Sequence, residues 1–133
     1  MKPDFVIDAI DSLNAKCCLI EELCRRGIPF VSSMGAALKT DPSCIKTARL
    51  NQTKNCGLSR LLRRRLKLRG VDLQSVRCVY SDEQAVLPGG GICPAEEKGP
   101  RNILGSLPTI TAIFGLTVAN EAIKQLSGYK TVK

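Results

Sequence analysis

Two aspartates three positions apart, Asp8 and Asp11, close the run Asp4-Phe5-Val6-Ile7-Asp8-Ala9-Ile10-Asp11. A carboxylate at the carboxyl end of a buried strand suits a magnesium-nucleotide site. Mg2+ wants hard oxygen ligands, takes only one or two from protein, and bridges to phosphate oxygens. Ser33 and Gly35 stand at the corresponding end of a second apolar run, Ile28 to Met34, and ligands of open parallel sheets sit beyond those ends. The same residues admit a plainer reading, in which Asp8 is a buried structural acid and Asp11 a helix N-cap. A second constellation is cationic. Arg60, Arg63, Arg64, Arg65, Lys67 and Arg69 supply six of the net +8 within ten residues and without an acid. This is a phosphate-seeking surface that fits nucleic acid, or else a solvated helix face opposite its leucines. No aromatic residue stands nearby for base stacking.

Other chemistries are excluded by residue type. The 133 residues include no His, which removes Ser-His-Asp and Cys-His nucleophiles and all histidine ligation. Seven Cys, two of them adjacent at Cys17 and Cys18, form no C-x-x-C pair, so zinc sites of the ribbon or knuckle type are not indicated and reduced thiols are. Gly89-Gly90-Gly91 belongs to no phosphate-loop pattern. Cys93 reads as a free thiol without a catalytic role, since Glu96 and Glu97 nearby would raise its pKa. No signal peptide is evident at Met1-Lys2-Pro3-Asp4, and cytoplasmic residence is expected. Residues 103–120 carry no charge, but Gly105, Pro108, Gly115 and Asn120 dilute them, so a buried helix is expected rather than a membrane span.

The elements that position these groups follow from periodicity. After the first strand, Ser12 reads as an N-cap. Leu13, Cys17, Ile20, Leu23 and Cys24 then recur at helical spacing until Arg25-Arg26-Gly27 stops the helix. With the strand Ile28 to Met34 this makes a parallel strand-helix-strand unit of about thirty residues. Cys44 to Leu50 reads as an edge strand, Leu58 to Arg69 as a helix, and Val76 to Ser81 as a further strand. Asp82 to Asn102, rich in Gly and Pro, is expected to be a long mobile loop. Pro108 to Leu126 forms an apolar helix ended by Gly128.

These residues carry a resemblance. Asp4 to Ser12, Lys16, Ile28-Pro29, Ser33-Met34-Gly35-Ala36, Asp41-Pro42, Thr53, Cys56, Leu58, Val79 to Glu83, Gly105-Ser106 and Thr111 to Gly115 together resemble the ThiF/MoeB/HesA adenylating superfamily. Within it they are most similar to the TcdA type, which cyclises threonylcarbamoyladenosine in tRNA. The resemblance implies an α/β fold, the C-terminal part of a Rossmann-like three-layer sheet domain. It also implies chemistry in which a carboxylate attacks the α-phosphate of Mg-ATP, releases pyrophosphate, is held as an acyl-adenylate and is then captured by an internal nucleophile. Asp11 takes the place of the family's magnesium and ATP aspartate, with Asp8 supporting it and Gly35 and Ala36 lining the site. The basic helix is the candidate tRNA contact. Such chemistry depends on charge neutralisation and positioning, which needs no histidine.

Two departures from the family stand out. Its glycine pair after Met-Gly-Ala is here Ala37-Leu38. Its first half, which includes the glycine-rich nucleotide loop, the arginine that reaches across a dimer and the Lys and Arg on the ATP phosphates, has no counterpart among these residues. Residues 1–133 therefore read as a single partial domain, inactive alone and active only if the N-terminal half is restored, and the expected partner is that half or a homodimer partner. The competing readings are a non-catalytic basic tRNA-binding or interaction module, and an activator of a ubiquitin-like or sulfur-carrier protein. The missing C-x-x-C pairs argue against the last.

Overall fold

The computed structural model describes residues 2–86 and 105–128. Strand β1 (Val6–Asp8) leads into helix α1 (Leu13–Arg26), strand β2 (Phe30–Ser33), strand β3 (Ile45–Arg49), helix α2 (Gly57–Leu68), strand β4 (Arg77–Ser81) and helix α3 (Pro108–Ser127). The sheet order is β1-β2-β4-β3. β1 and β2 pair in parallel with Asp8 opposite Ser32, and β2 and β4 pair in parallel with Ser33 opposite Val79. β3 runs antiparallel along β4 and forms the far edge. The expected edge strand is thus present, in a direction its sequence alone does not disclose.

Successive side chains of a strand face opposite ways, and here both faces are covered. Phe30, Cys78 and Tyr80 point to one side, where Cys17, Ile20 and Leu23 of α1 and Leu62 and Leu66 of α2 pack. Val31 and Val79 point to the other, against Ile110, Phe114 and Val118 of α3. Burying each of those three α3 side chains stabilises the fold by about 1.5–3 kcal/mol. The α1 stripe recurs every three to four residues and ends at Gly27, whose φ of 61° no other residue type adopts so cheaply. The Gly27 N–H donates to the Cys24 carbonyl at 3.1 Å and the Ile28 N–H to the Leu23 carbonyl at 3.0 Å, which closes the helix and turns the chain into β2. Gly128 ends α3 in the same left-handed conformation.

Ser12 occupies the N-cap position of α1, but its side chain makes no capping hydrogen bond. The long loop expected over 82–102 lies outside the described residues from 87 onward, as do Gly89 to Gly91 and Cys93. Among the described residues no helix is long and apolar enough to cross a membrane, α3 included.

Candidate functional site

The parallel strands β1, β2 and β4 end on the same side of the sheet. Because Asp8 is opposite Ser32, Asp11 and Gly35 each sit three residues past one common row. The two aspartates of the motif are in unlike surroundings. Asp8 is buried, and its carboxylate is taken up by the protein's own donors: Lys16 Nζ at 2.8 Å and Ser32 Oγ at 2.6 Å on Oδ2, and the Ile10 backbone N–H at 3.0 Å on Oδ1. Asp11, just before α1, is exposed. The carboxylate that the motif presents to the outside is therefore that of Asp11, while Asp8 ties β1, α1 and β2 together beneath it.

Gly35 and Ala36 are half-buried where the chain leaves β2. The Met34 N–H bonds to the Val79 carbonyl at 2.9 Å, which fixes the start of this loop against β4. A Cβ on Gly35 would lie 3.7 Å from Leu58 Cβ, an ordinary contact. The loop beyond is held by charge. Lys39 is buried and donates to the Asn55 carbonyl at 3.0 Å and to the Glu83 carbonyl. The Glu83 carboxylate accepts the Thr40 N–H at 2.8 Å, the Asp41 N–H at 3.0 Å and the Thr40 hydroxyl at 2.8 Å. Burial pushes the Glu83 pKa up, but those N–H groups, the Thr40 hydroxyl and nearby Lys39 outweigh it and hold the carboxyl below its ordinary value. Leu38, in the family's glycine position, has a φ of 58°, and its N–H donates to the Gly105 carbonyl at 3.0 Å. A leucine there is strained by roughly 1–2 kcal/mol.

The six cations of the basic helix divide. Arg63 is half-buried and folds back, donating to the Thr53 carbonyl at 2.7 Å and to the Thr53 hydroxyl. Arg65 bonds to Asn14 Oδ1, and Arg69 reaches Glu21 at 2.6 Å and Cys18 Sγ at 3.5 Å, so both strap α2 onto α1. Arg60, Arg64 and Lys67 are exposed. A cleft of about 550 Å³ opens at the other end of the sheet, between Phe5, Phe30 and the Arg77–Glu121 ion pair of 2.6 Å. It is remote from the strand ends that carry Asp11.

Lys16, Ser32 and Lys39 were not singled out by sequence as site residues. The signal for Lys16 was present: with Ile20 and Leu23 it repeats at i, i+4, i+7 on the buried stripe of α1, and a lysine there needs a buried anion.

The ThiF family profile matches residues 1–133. The chain belongs to the ThiF family. Among the relatives of this ThiF chain, the tRNA threonylcarbamoyladenosine dehydratase of Escherichia coli is 36% identical over 137 residues, which cover 92% of the chain and 51% of that protein. Dehydratase 2 of Saccharomyces cerevisiae is 32% identical over 140 residues, covering 94% of the chain and 31% of that protein. The crystal structure of the E. coli enzyme in complex with ATP superimposes with a TM-score of 0.77 at 34% identity, covering 94% of this chain and 48% of that one. The ThiF chain thus spans about half or less of the length of these relatives, and its mixed sheet with helices on both faces is a ThiF/MoeB-type Rossmann-like fold.

Proposed function

We propose that this ThiF chain is the C-terminal part of an ATP-dependent tRNA threonylcarbamoyladenosine dehydratase, whose glycine-rich nucleotide half is supplied by a further segment or partner. The observation that carries the reading is the pairing of an exposed Asp11 with an internally satisfied Asp8 at the carboxyl end of β1, in a chain similar to dehydratases one of which binds ATP. In the proposed reaction the threonylcarbamoyl carboxylate forms a bond to the α-phosphorus of ATP as the bond to pyrophosphate breaks. An internal nucleophile then closes the ring on that carbonyl carbon and AMP departs with the former carboxylate oxygen. The net loss of water is carried by ATP cleavage.

The residues present fit Mg2+, because Asp11 offers a hard, exposed carboxylate at the strand end. Bound there, Mg2+ would neutralise phosphate charge. Asp11 would hold and orient the nucleotide, while Gly35 and Ala36 would line its approach. Arg60, Arg64 and Lys67 would contact tRNA phosphates, each a point of attraction rather than of base recognition.

The test is calorimetric titration of Mg-ATP into the chain co-expressed with the remaining half of the E. coli relative. Micromolar-class binding that EDTA removes, and that Asp11→Asn weakens about tenfold or more, supports the reading. Equal affinity of the parent and the Asp11→Asn variant contradicts the assignment of Asp11. A second reading, a basic tRNA-binding module without catalysis, draws on the exposed cations of α2, Arg60 and Lys67 among them. It predicts salt-sensitive tRNA binding by the chain that Mg-ATP does not change.

A further inference from the structure

Lys16 brackets the turn that carries Asp11. Its backbone N–H donates to the Ser12 carbonyl at 2.9 Å, the first bond of α1, and its ammonium donates to Asp8 Oδ2 at 2.8 Å. Asp8 in turn accepts the Ile10 N–H on Oδ1 at 3.0 Å and the Ser32 hydroxyl on Oδ2 at 2.6 Å. Residues 9–12 are thereby pinned at one end through the main chain of Lys16 and at the other through its side chain. The Ser12 side chain makes no capping bond that would share this work.

Stability alone gives no reason for the arrangement. Both side chains are 0% exposed, and a buried ion pair is commonly replaced by apolar side chains at no loss. A cation in the first turn of a helix also opposes the helix dipole, and α1 has no acid in that turn to offset it. What apolar side chains cannot do is accept the Ile10 N–H and so set the path of the backbone to Asp11.

We propose that Lys16 is a positioning residue: acting through Asp8, it fixes the turn from Asp8 to Ser12 and so the place of the Asp11 carboxylate relative to the ends of β1 and β2. Its charge also cancels that of Asp8, which leaves Asp11 to present the motif's negative charge. The proposal rests on the reading of Asp11 given above.

Removing Lys16 alone would strand a buried carboxylate and unfold the chain, so the test compares two double variants. Asp8→Asn/Lys16→Gln keeps an amide at position 16 that can hydrogen-bond the position-8 side chain. Asp8→Asn/Lys16→Met removes that partner, and both leave an acceptor for the Ile10 N–H. In the 133-residue chain, amide hydrogen exchange at Ile10 should be about tenfold or more faster in the Met variant than in the Gln variant, while core amides of β2 and β4 stay protected in both. In the enzyme completed with the remaining half, kcat of the Met variant should fall about 100-fold below that of the Gln variant. Equal Ile10 exchange in the two folded variants, or equal kcat, overturns the proposal. Ser32→Ala, which removes one donor and strands no charge, is the milder check: several-fold faster Ile10 exchange supports it and no change counts against it. A completed parent enzyme without ATP-dependent turnover defeats the reading of Asp11 instead, and the exchange at Ile10 still decides whether Lys16 holds the turn.

Discussion

The Arg63 guanidinium donates to the Thr53 carbonyl at 2.7 Å, and the same nitrogen reaches the Thr53 hydroxyl and, at 3.5 Å, the Leu50 carbonyl. This interaction separates Arg63 from its neighbours on α2. It closes the turn between β3 and α2, and without it the carbonyl of a buried threonine has no charged donor. Arg63→Ala should destabilise the chain by about 1–3 kcal/mol. Arg60→Ala and Lys67→Ala should stay within about 0.5 kcal/mol of the parent. Urea unfolding of the three variants gives the comparison, and equal midpoints would mean that Arg63 is as solvated as the others.

Binding should follow the opposite order. Charge reversal at Arg60, Arg64 and Lys67 should weaken tRNA binding and flatten its dependence on salt by about 0.7–0.9 logarithmic units for each phosphate that is no longer neutralised. Circular dichroism identifies the variants that keep the parent fold, and binding is compared among those. An unchanged salt slope would take tRNA away from this face.

Leu38 carries a backbone conformation suited to glycine, with φ at 58°. Alanine normally exceeds glycine in stability by about 0.4–1 kcal/mol, and the order inverts where φ is positive. Leu38→Gly should therefore be more stable than Leu38→Ala, by about 1 kcal/mol in thermal or urea unfolding. The usual order would show that the loop rearranges in solution.

Acid should loosen the loops at the strand ends. Asp41, held low by the Ser43 hydroxyl and N–H, Asp82, held low by the Lys46 ammonium, and Glu83 all have folded pKa values below their ordinary ones. A depressed carboxylate contributes stability that is present above its unfolded pKa, about 4, and is lost as pH falls through the lower folded value. Unfolding midpoints should hold above about pH 4–5 and decline below it. Glu83→Gln, which cannot titrate, should start lower and decline less steeply; a parallel pH profile would contradict the role of Glu83.

Thiol reactivity should map burial. Cys78 lies within the sheet, and its pKa is pushed to about 12, first by burial and then by nearby Cys56. Cys18 is exposed. Residue-resolved mass spectrometry after brief treatment with a disulfide reagent at about pH 8, near the ordinary thiol pKa, should find Cys18 modified and Cys78 untouched until denaturant is added. Early modification of Cys78 would mean that β4 opens readily.

Much of this fold was legible because its elements obey simple periods. The α1 stripe, its Gly27 stop and the flanking apolar runs define a parallel unit without any tertiary information. The direction of β3 was not legible, since pairing direction depends on the return path of the chain rather than on composition. At the site, the sequence already allowed a buried, supporting Asp8 beside Asp11, but not the donors that take up its carboxylate. Those are Lys16 and Ser32, eight and twenty-four residues from Asp8. The basic helix shows the same limit in another form. Its spacing places six cations on one helix, but a long guanidinium can bend toward any acceptor within reach, and Arg63, Arg65 and Arg69 each found one.

The central claim is that this chain supplies the Asp11 half of an adenylating dehydratase. The most direct test is mass spectrometry of threonylcarbamoyladenosine in tRNA incubated with ATP, Mg2+ and the chain completed by the remaining half of the E. coli relative. The account predicts ATP-dependent loss of one water from the modified nucleoside, abolished by Asp11→Ala in a protein that still folds. A completed, folded enzyme that leaves the nucleoside unchanged, or one that works equally well with Asp11→Ala, would contradict it.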